Sequence, residues 1–109
     1  MSKLLLKLGN AVLQEIEAGE NELSIGRAPD NAIVIDNPGV SYYHARLFLQ
    51  EGRLMLEDFG TLNGTSVNGE RIKMVELQPG DSVTIGKHTI EVTDPGKPHS
   101  LKRRARSAK

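Results

Sequence analysis

The chain contains no cysteine. That excludes a disulfide framework, thiol catalysis and thiolate metal sites, and it fits a reducing compartment. Tryptophan is also absent, and only two Phe and two Tyr occur among 109 residues, so aliphatic side chains must build the core. No apolar run comes near the roughly 20 residues needed to cross a bilayer. The run Leu4–Leu6 is interrupted by Lys7, well short of the roughly 7–15 apolar residues of a secretory signal. These absences lead us to expect a cytoplasmic protein, or the cytoplasmic part of a larger one.

Net charge is lacking too, with 14 basic and 14 acidic residues, but the balance hides an asymmetry. From Asp94 onward, six basic residues face one acidic residue, while residues 1–93 carry eight basic and thirteen acidic residues. An acidic body therefore carries a basic tail. Pro95 and Pro98 follow the last apolar run. The expected division is a folded domain over residues 1–93 and a polar, disordered tail or linker over residues 94–109. At this length one domain can build a core without staples.

Helical periodicity is weak. What recurs is alternation of apolar and polar residues, bounded by Gly, Asn and Pro. Strands are expected at Lys3–Leu8, Ala11–Ala18, Glu22–Ile25, Ala32–Ile35, His44–Gln50, Arg53–Glu57, Ser82–Ile85 and His88–Thr93, with Val83, Ile85, Ile90 and Val92 facing inward. The strongest hairpin signal is Asn68-Gly69, since a type I′ turn needs positive φ at both central residues. Many short strands at close spacing indicate an all-β sandwich or barrel.

Ser41 and His44 raise the question of nucleophilic catalysis, and Asp58 or Asp36 completes a triad on paper. Against this, there is no GxSxG elbow and no strand–helix alternation. His44, His88 and His99 lack metal-ligand spacing, and no Walker-type or dinucleotide glycine motif occurs, so neither metal nor cofactor is expected. The expectation is a binding module, not an enzyme. Arg27 follows Gly26 at a strand end, Ser41 sits in a loop, and Asn63 precedes Gly64 in another loop. A guanidinium, hydroxyls and backbone N–H groups presented from loops would suit a phosphate carrying about −1.5 to −2 charges, and the Asn63 amide can both donate and accept. Singly, each residue reads equally well as a solvated arginine, a turn-shaping serine and a turn asparagine.

Taken in order, Gly26-Arg27, Ser41-x-x-His44, Asn63-Gly64-Thr65 and Asn68-Gly69 on an all-β pattern resemble the forkhead-associated (FHA) domain. The resemblance spans about Leu23 to Val92. It implies a β-sandwich of two twisted, mainly antiparallel sheets that binds phosphothreonine peptides through loops at one end. It further implies that Arg27 and Ser41 contact phosphate and that Asn63 clamps the peptide backbone, with the Thr61 hydroxyl nearby. His44 would brace the loops, and Gly26, Gly64, Asn68 and Gly69 would serve structure, the last two through turn geometry alone.

Two positions depart from the family pattern. Tyr42 stands where a basic or polar residue often adds a phosphate contact, and Leu62 where Thr is frequent. Both remain additional contacts of a pocket with one cation and fewer hydroxyls, which implies weaker or more selective phosphate binding. The expected partner is a phosphothreonine protein in trans, or another part of a larger parent, because residues 1–20 and 94–109 contain no threonine. The chain is expected to be a monomer without a small-molecule substrate. The alternative is a divergent domain that binds an unphosphorylated protein, with the basic tail touching nucleic acid or anionic lipid.

Overall fold

The computed structural model describes residues 2–93. The tail predicted over residues 94–109, and its possible contacts with nucleic acid or lipid, lie outside the described residues. The chain forms β1 (Ser2–Leu8), β2 (Ala11–Ala18), β3 (Leu23–Gly26), β4 (Ile33–Val34), β5 (Ala45–Gln50), β6 (Arg53–Asp58), β7 (Thr65–Val67), β8 (Glu70–Ile72), β9 (Met74–Glu76), β10 (Ser82–Ile85) and β11 (His88–Thr93). One sheet runs β2-β1-β11-β10-β7-β8 and the other β4-β3-β5-β6-β9. The pairings are antiparallel except β3 with β4. There is no helix among the described residues, so the architecture is the expected all-β sandwich.

Period-2 alternation produces the core. Leu4 and Leu6 in β1, Val83 and Ile85 in β10, and Ile90 and Val92 in β11 turn inward from one sheet. Ile25, Leu47 and Leu56 meet them from the other. Each fully buried aliphatic side chain contributes about 1.5–3 kcal/mol, which compensates for the lack of large aromatics. The first five residues of β2 are exposed, and only Ile16 and Ala18 are buried. This strand forms the sheet edge and covers little core.

The short strands β7, β8 and β9 were not expected as strands. Three residues are too few to show a period, and the partners of these segments are set by the fold. The turn between β7 and β8 is as predicted, with φ of 53° at Asn68 and 90° at Gly69. Its second expected property needs correction, because Asn68 does more than turn the chain. Its side chain donates to Asp81 at 3.0 Å and accepts from the Ser82 N–H at 3.0 Å, tying the hairpin to β10. An amide side chain has both donors and acceptors, and only the adjacency of β7 and β10 reveals that both are used.

One rung of the second sheet positions everything that follows. Ile25 pairs with Ala45, and Ala45 with Asp58. Beyond this rung β3 and β6 end and β5 begins, so three loops emerge together at one end of the sandwich.

Candidate functional site at the loop end

The three loops are stitched by backbone bonds. The Arg27 N–H donates to the Ser41 carbonyl at 3.0 Å, the Ala28 N–H to Tyr42 at 3.2 Å, and the Phe59 N–H to His44 at 3.0 Å. Gly26 leaves room for the Tyr42 carbonyl. A Cβ there would overlap the Tyr42 carbonyl oxygen and lie 2.9 Å from Asn31 Nδ2. The buried Asn31 amide bridges the carbonyls of Ala28 and Tyr42, at 2.8 Å each. Asn31 carried no signal in the sequence, since it looks like any loop asparagine.

His44 is fully buried. Its Nδ1 accepts from the Ser41 backbone N–H at 3.1 Å, and its Nε2 faces the Gly64 carbonyl at 3.0 Å. A backbone N–H can only donate and a carbonyl can only accept, so the ring hydrogen sits on Nε2. His44 therefore joins the loop before β5 to the loop after β6. Ser41 engages this ring through its backbone, and its hydroxyl has no hydrogen bond among the described residues. The paper triad is thus not assembled: Asp58 Oδ1 lies 3.7 Å from Nε2, but the Ser41 hydroxyl bonds neither ring nitrogen, and Nδ1 is taken by the Ser41 amide.

Asp58 organises the loop that carries Asn63. It is 6% exposed. Its Oδ1 accepts from the hydroxyls of Thr61 and Thr65, each at 2.8 Å, and its Oδ2 from the N–H groups of Gly60 at 2.8 Å and Thr61 at 3.0 Å. Burial alone would raise its pKa. The Thr61 N–H, the Thr65 and Thr61 hydroxyls and the Gly60 N–H outweigh burial and hold it below the usual value. The Thr61 hydroxyl also accepts from the Gly64 N–H at 3.1 Å, so it is occupied inside the loop. The sequence signal for Asp58 was its spacing of three from Thr61, a side chain bonding back to nearby backbone.

These bonds make acid sensitivity predictable. A carboxylate whose folded pKa is depressed contributes stability above its unfolded pKa, near about 4, and loses it as pH falls through the folded value. Asp58→Asn replaces one acceptor with a donor facing donors, and we expect it to cost about 2–3 kcal/mol at neutral pH. In thermal melts, the gap between wild type and variant should narrow as pH falls below about 4. A gap that stays constant down to pH ~2 would contradict the assigned role.

The exposed side chains gather above this scaffold. Arg27 is 40% exposed, its Nε lies 3.9 Å from Asp36 Oδ1, and its guanidinium sits 5.7 Å from the Tyr42 ring centroid. Asn63 donates through Nδ2 to the Gly39 carbonyl at 2.9 Å, which leaves Oδ1 without a partner among the described residues. Tyr42 is 63% and Leu62 88% exposed. Arg71, which the sequence did not single out, reaches from β8 to the carbonyls of Thr61 at 3.1 Å and Leu62 at 3.3 Å. Among the described residues there is no cluster of His, Cys, Asp and Glu able to hold a metal.

The family model described as FHA domain matches residues 23–86. The glycogen accumulation regulator GarA of Mycolicibacterium smegmatis is 45% identical over 67 residues, which are 62% of this chain and 42% of GarA. The matched segment thus spans less than half the length of this relative. The FHA domain of FhaA, crystallised with the intracellular domain of Rv3910, matches with a TM-score of 0.76 at 27% identity, over 84% of this chain and 99% of that one. EmbR of Mycobacterium tuberculosis, in complex with a low affinity phosphopeptide, matches with a TM-score of 0.73 at 29% identity, over 84% of this chain and 24% of EmbR.

Proposed function

The chain belongs to the FHA domain family, and on that footing we propose that its loop end is a receptor for phosphothreonine peptides presented by another protein, or by another part of a larger parent. The observation that carries this reading is one exposed cation, Arg27, on the same stitched loops as the uncommitted Ser41 hydroxyl and the open Oδ1 of Asn63. A guanidinium can grip phosphate with two parallel bonds. The Ser41 hydroxyl donates a further bond to it, and Asn63 Oδ1 accepts a peptide N–H. Thr61 acts behind this surface, as a brace for Asn63. Tyr42 lies beside Arg27 and holds the guanidinium by cation–π attraction, in place of a second charge. The module recruits a partner phosphorylated by a Ser/Thr kinase and performs no chemistry itself. We place it in the cytoplasm as a monomer.

The test is a titration with one peptide in phosphothreonine, phosphoserine and unphosphorylated forms. Binding should require phosphate and favour threonine. Equal affinity for all three would reject the reading. It would favour the second one, an unphosphorylated apolar partner, which the exposure of Leu62 and Tyr42 supports. That reading predicts partner capture that phosphatase treatment leaves intact.

A further inference from the structure

Arg71 lies outside the motifs that mark this family in the sequence, yet its guanidinium reaches the loop that displays Asn63. Nη2 donates to the carbonyls of Thr61 and Leu62, the two residues before Asn63. On the other side, Gly64 has a φ of 80°, and a Cβ there would come within 2.7 Å of Arg71 Cζ. The guanidinium therefore lies against the backbone on both sides of Asn63. The positive φ favours glycine at position 64, and the absence of a Cβ leaves the guanidinium room to lie there.

The remaining valences of Arg71 point to a ligand. A guanidinium carries five N–H donors, and the bonds found within the described residues use Nη2 alone. Nη1 and Nε have no acceptor there. Arg46 offers a contrast, since its guanidinium is closed by Glu57 at 2.8 Å and Glu22 at 2.9 Å. No carboxylate lies within ion-pair distance of Arg71 among the described residues, and the residue is exposed on the terminal strand of its sheet. A cation with open donors is thus fixed in place behind the residue proposed to clamp the peptide backbone. Fixed guanidinium groups take carboxylate or phosphate oxygens best.

We propose that Arg71 is a specificity-determining residue, which selects phosphothreonine peptides with an acidic side chain near the segment held by Asn63. This rests on the phosphopeptide reading above. It supplies the second charge that Tyr42 does not, but places it on a flanking residue and not on the phosphothreonine. The acidic group can be a carboxylate or a second phosphate, since both present oxygens to the same donors.

The experiment is a set of phosphothreonine peptides carrying one glutamate at each flanking position in turn, against glutamine controls, titrated into the full chain. A parallel set with a second phosphoserine at the preferred position separates the two anions. Wild type should prefer glutamate at one position by about fivefold, the size of a well-placed exposed ion pair. In Arg71→Gln the ratio should fall to about one, and Arg71→Lys should restore part of it. The ratio isolates the charge, because loss of loop positioning weakens both peptides alike. A wild type without any preferred position, or a preference that survives Arg71→Gln, overturns the proposal. If no phosphopeptide binds at all, the receptor reading fails and this one falls with it. If phosphopeptides bind and only the glutamate ratio is flat, the receptor reading stands and Arg71 is merely a brace.

Discussion

Arg27→Ala raises the dissociation constant for a phosphothreonine peptide on the order of a hundredfold, while leaving the melting temperature within a few degrees. The first number follows from charge-assisted bonds worth about 1.5–3 kcal/mol each, with about 1.4 kcal/mol per factor of ten. The second follows from the position of the side chain. Arg27 is 40% exposed, its partner Asp36 is 92% exposed, and their separation is 3.9 Å. Such a surface pair contributes at most about 1 kcal/mol. The bond from the Arg27 N–H to the Ser41 carbonyl belongs to the backbone and survives the substitution. Arg27→Lys keeps the charge but loses the planar fork, and should fall between wild type and alanine. Calorimetric titration of the three proteins decides the matter. Unchanged affinity in the alanine variant would remove Arg27 from the site.

Gly26→Ala has the opposite profile, a large loss of stability with binding lost as a consequence. The added methyl overlaps the Tyr42 carbonyl oxygen and comes within 2.8 Å of its carbon. Neither side can yield cheaply. The Tyr42 carbonyl already accepts from the Ala28 N–H at 3.2 Å and from Asn31 at 2.8 Å. Gly26 is itself the last residue of β3, and its carbonyl accepts from Ile35 at 2.9 Å. Overpacking against backbone that cannot move costs about 3 kcal/mol, the upper end of the usual range, or some 12–24 °C of melting temperature for a domain of this size. A variant melting within a few degrees of wild type would mean that the loops are not held as closely as described.

Most of the fold was legible because its signals are local. Ala11–Ala18, Ser82–Ile85 and His88–Thr93 show alternation over enough residues to be read directly, and they form β2, β10 and β11 with those bounds. At Asn68-Gly69 the turn follows from residue type, because only a few residues tolerate positive φ. By contrast, β7 to β9 are three residues each, and β7 and β9 are completed by β10 and β6, which lie further off in the chain, while β8 pairs with β7 alone. The candidate site divides in the same way. Arg27, Ser41, His44 and Asn63 announced themselves through ordered motifs. The supports did not: Asn31 is buried by a partner loop, and Asp58 gathers donors from Gly60 to Thr65.

By itself, the sequence determined the class of the protein. The absence of cysteine, the short alternating runs and the order of four motifs suffice for an all-β FHA domain with Arg27 and Ser41 on loops. Tertiary structure alone decided how the residues divide their work. Ser41 and His44 are three residues apart, yet the histidine takes the serine's backbone N–H and the hydroxyl is left open. Thr61, read as a candidate contact, is drawn inward by Asp58. Arg71 enters only because β8 lies where its side chain can reach the carbonyls of Thr61 and Leu62. The physical reason is common to all three. A polar side chain has several possible partners of similar strength, and the selection among them depends on which segments the packed sheets bring within about 3 Å.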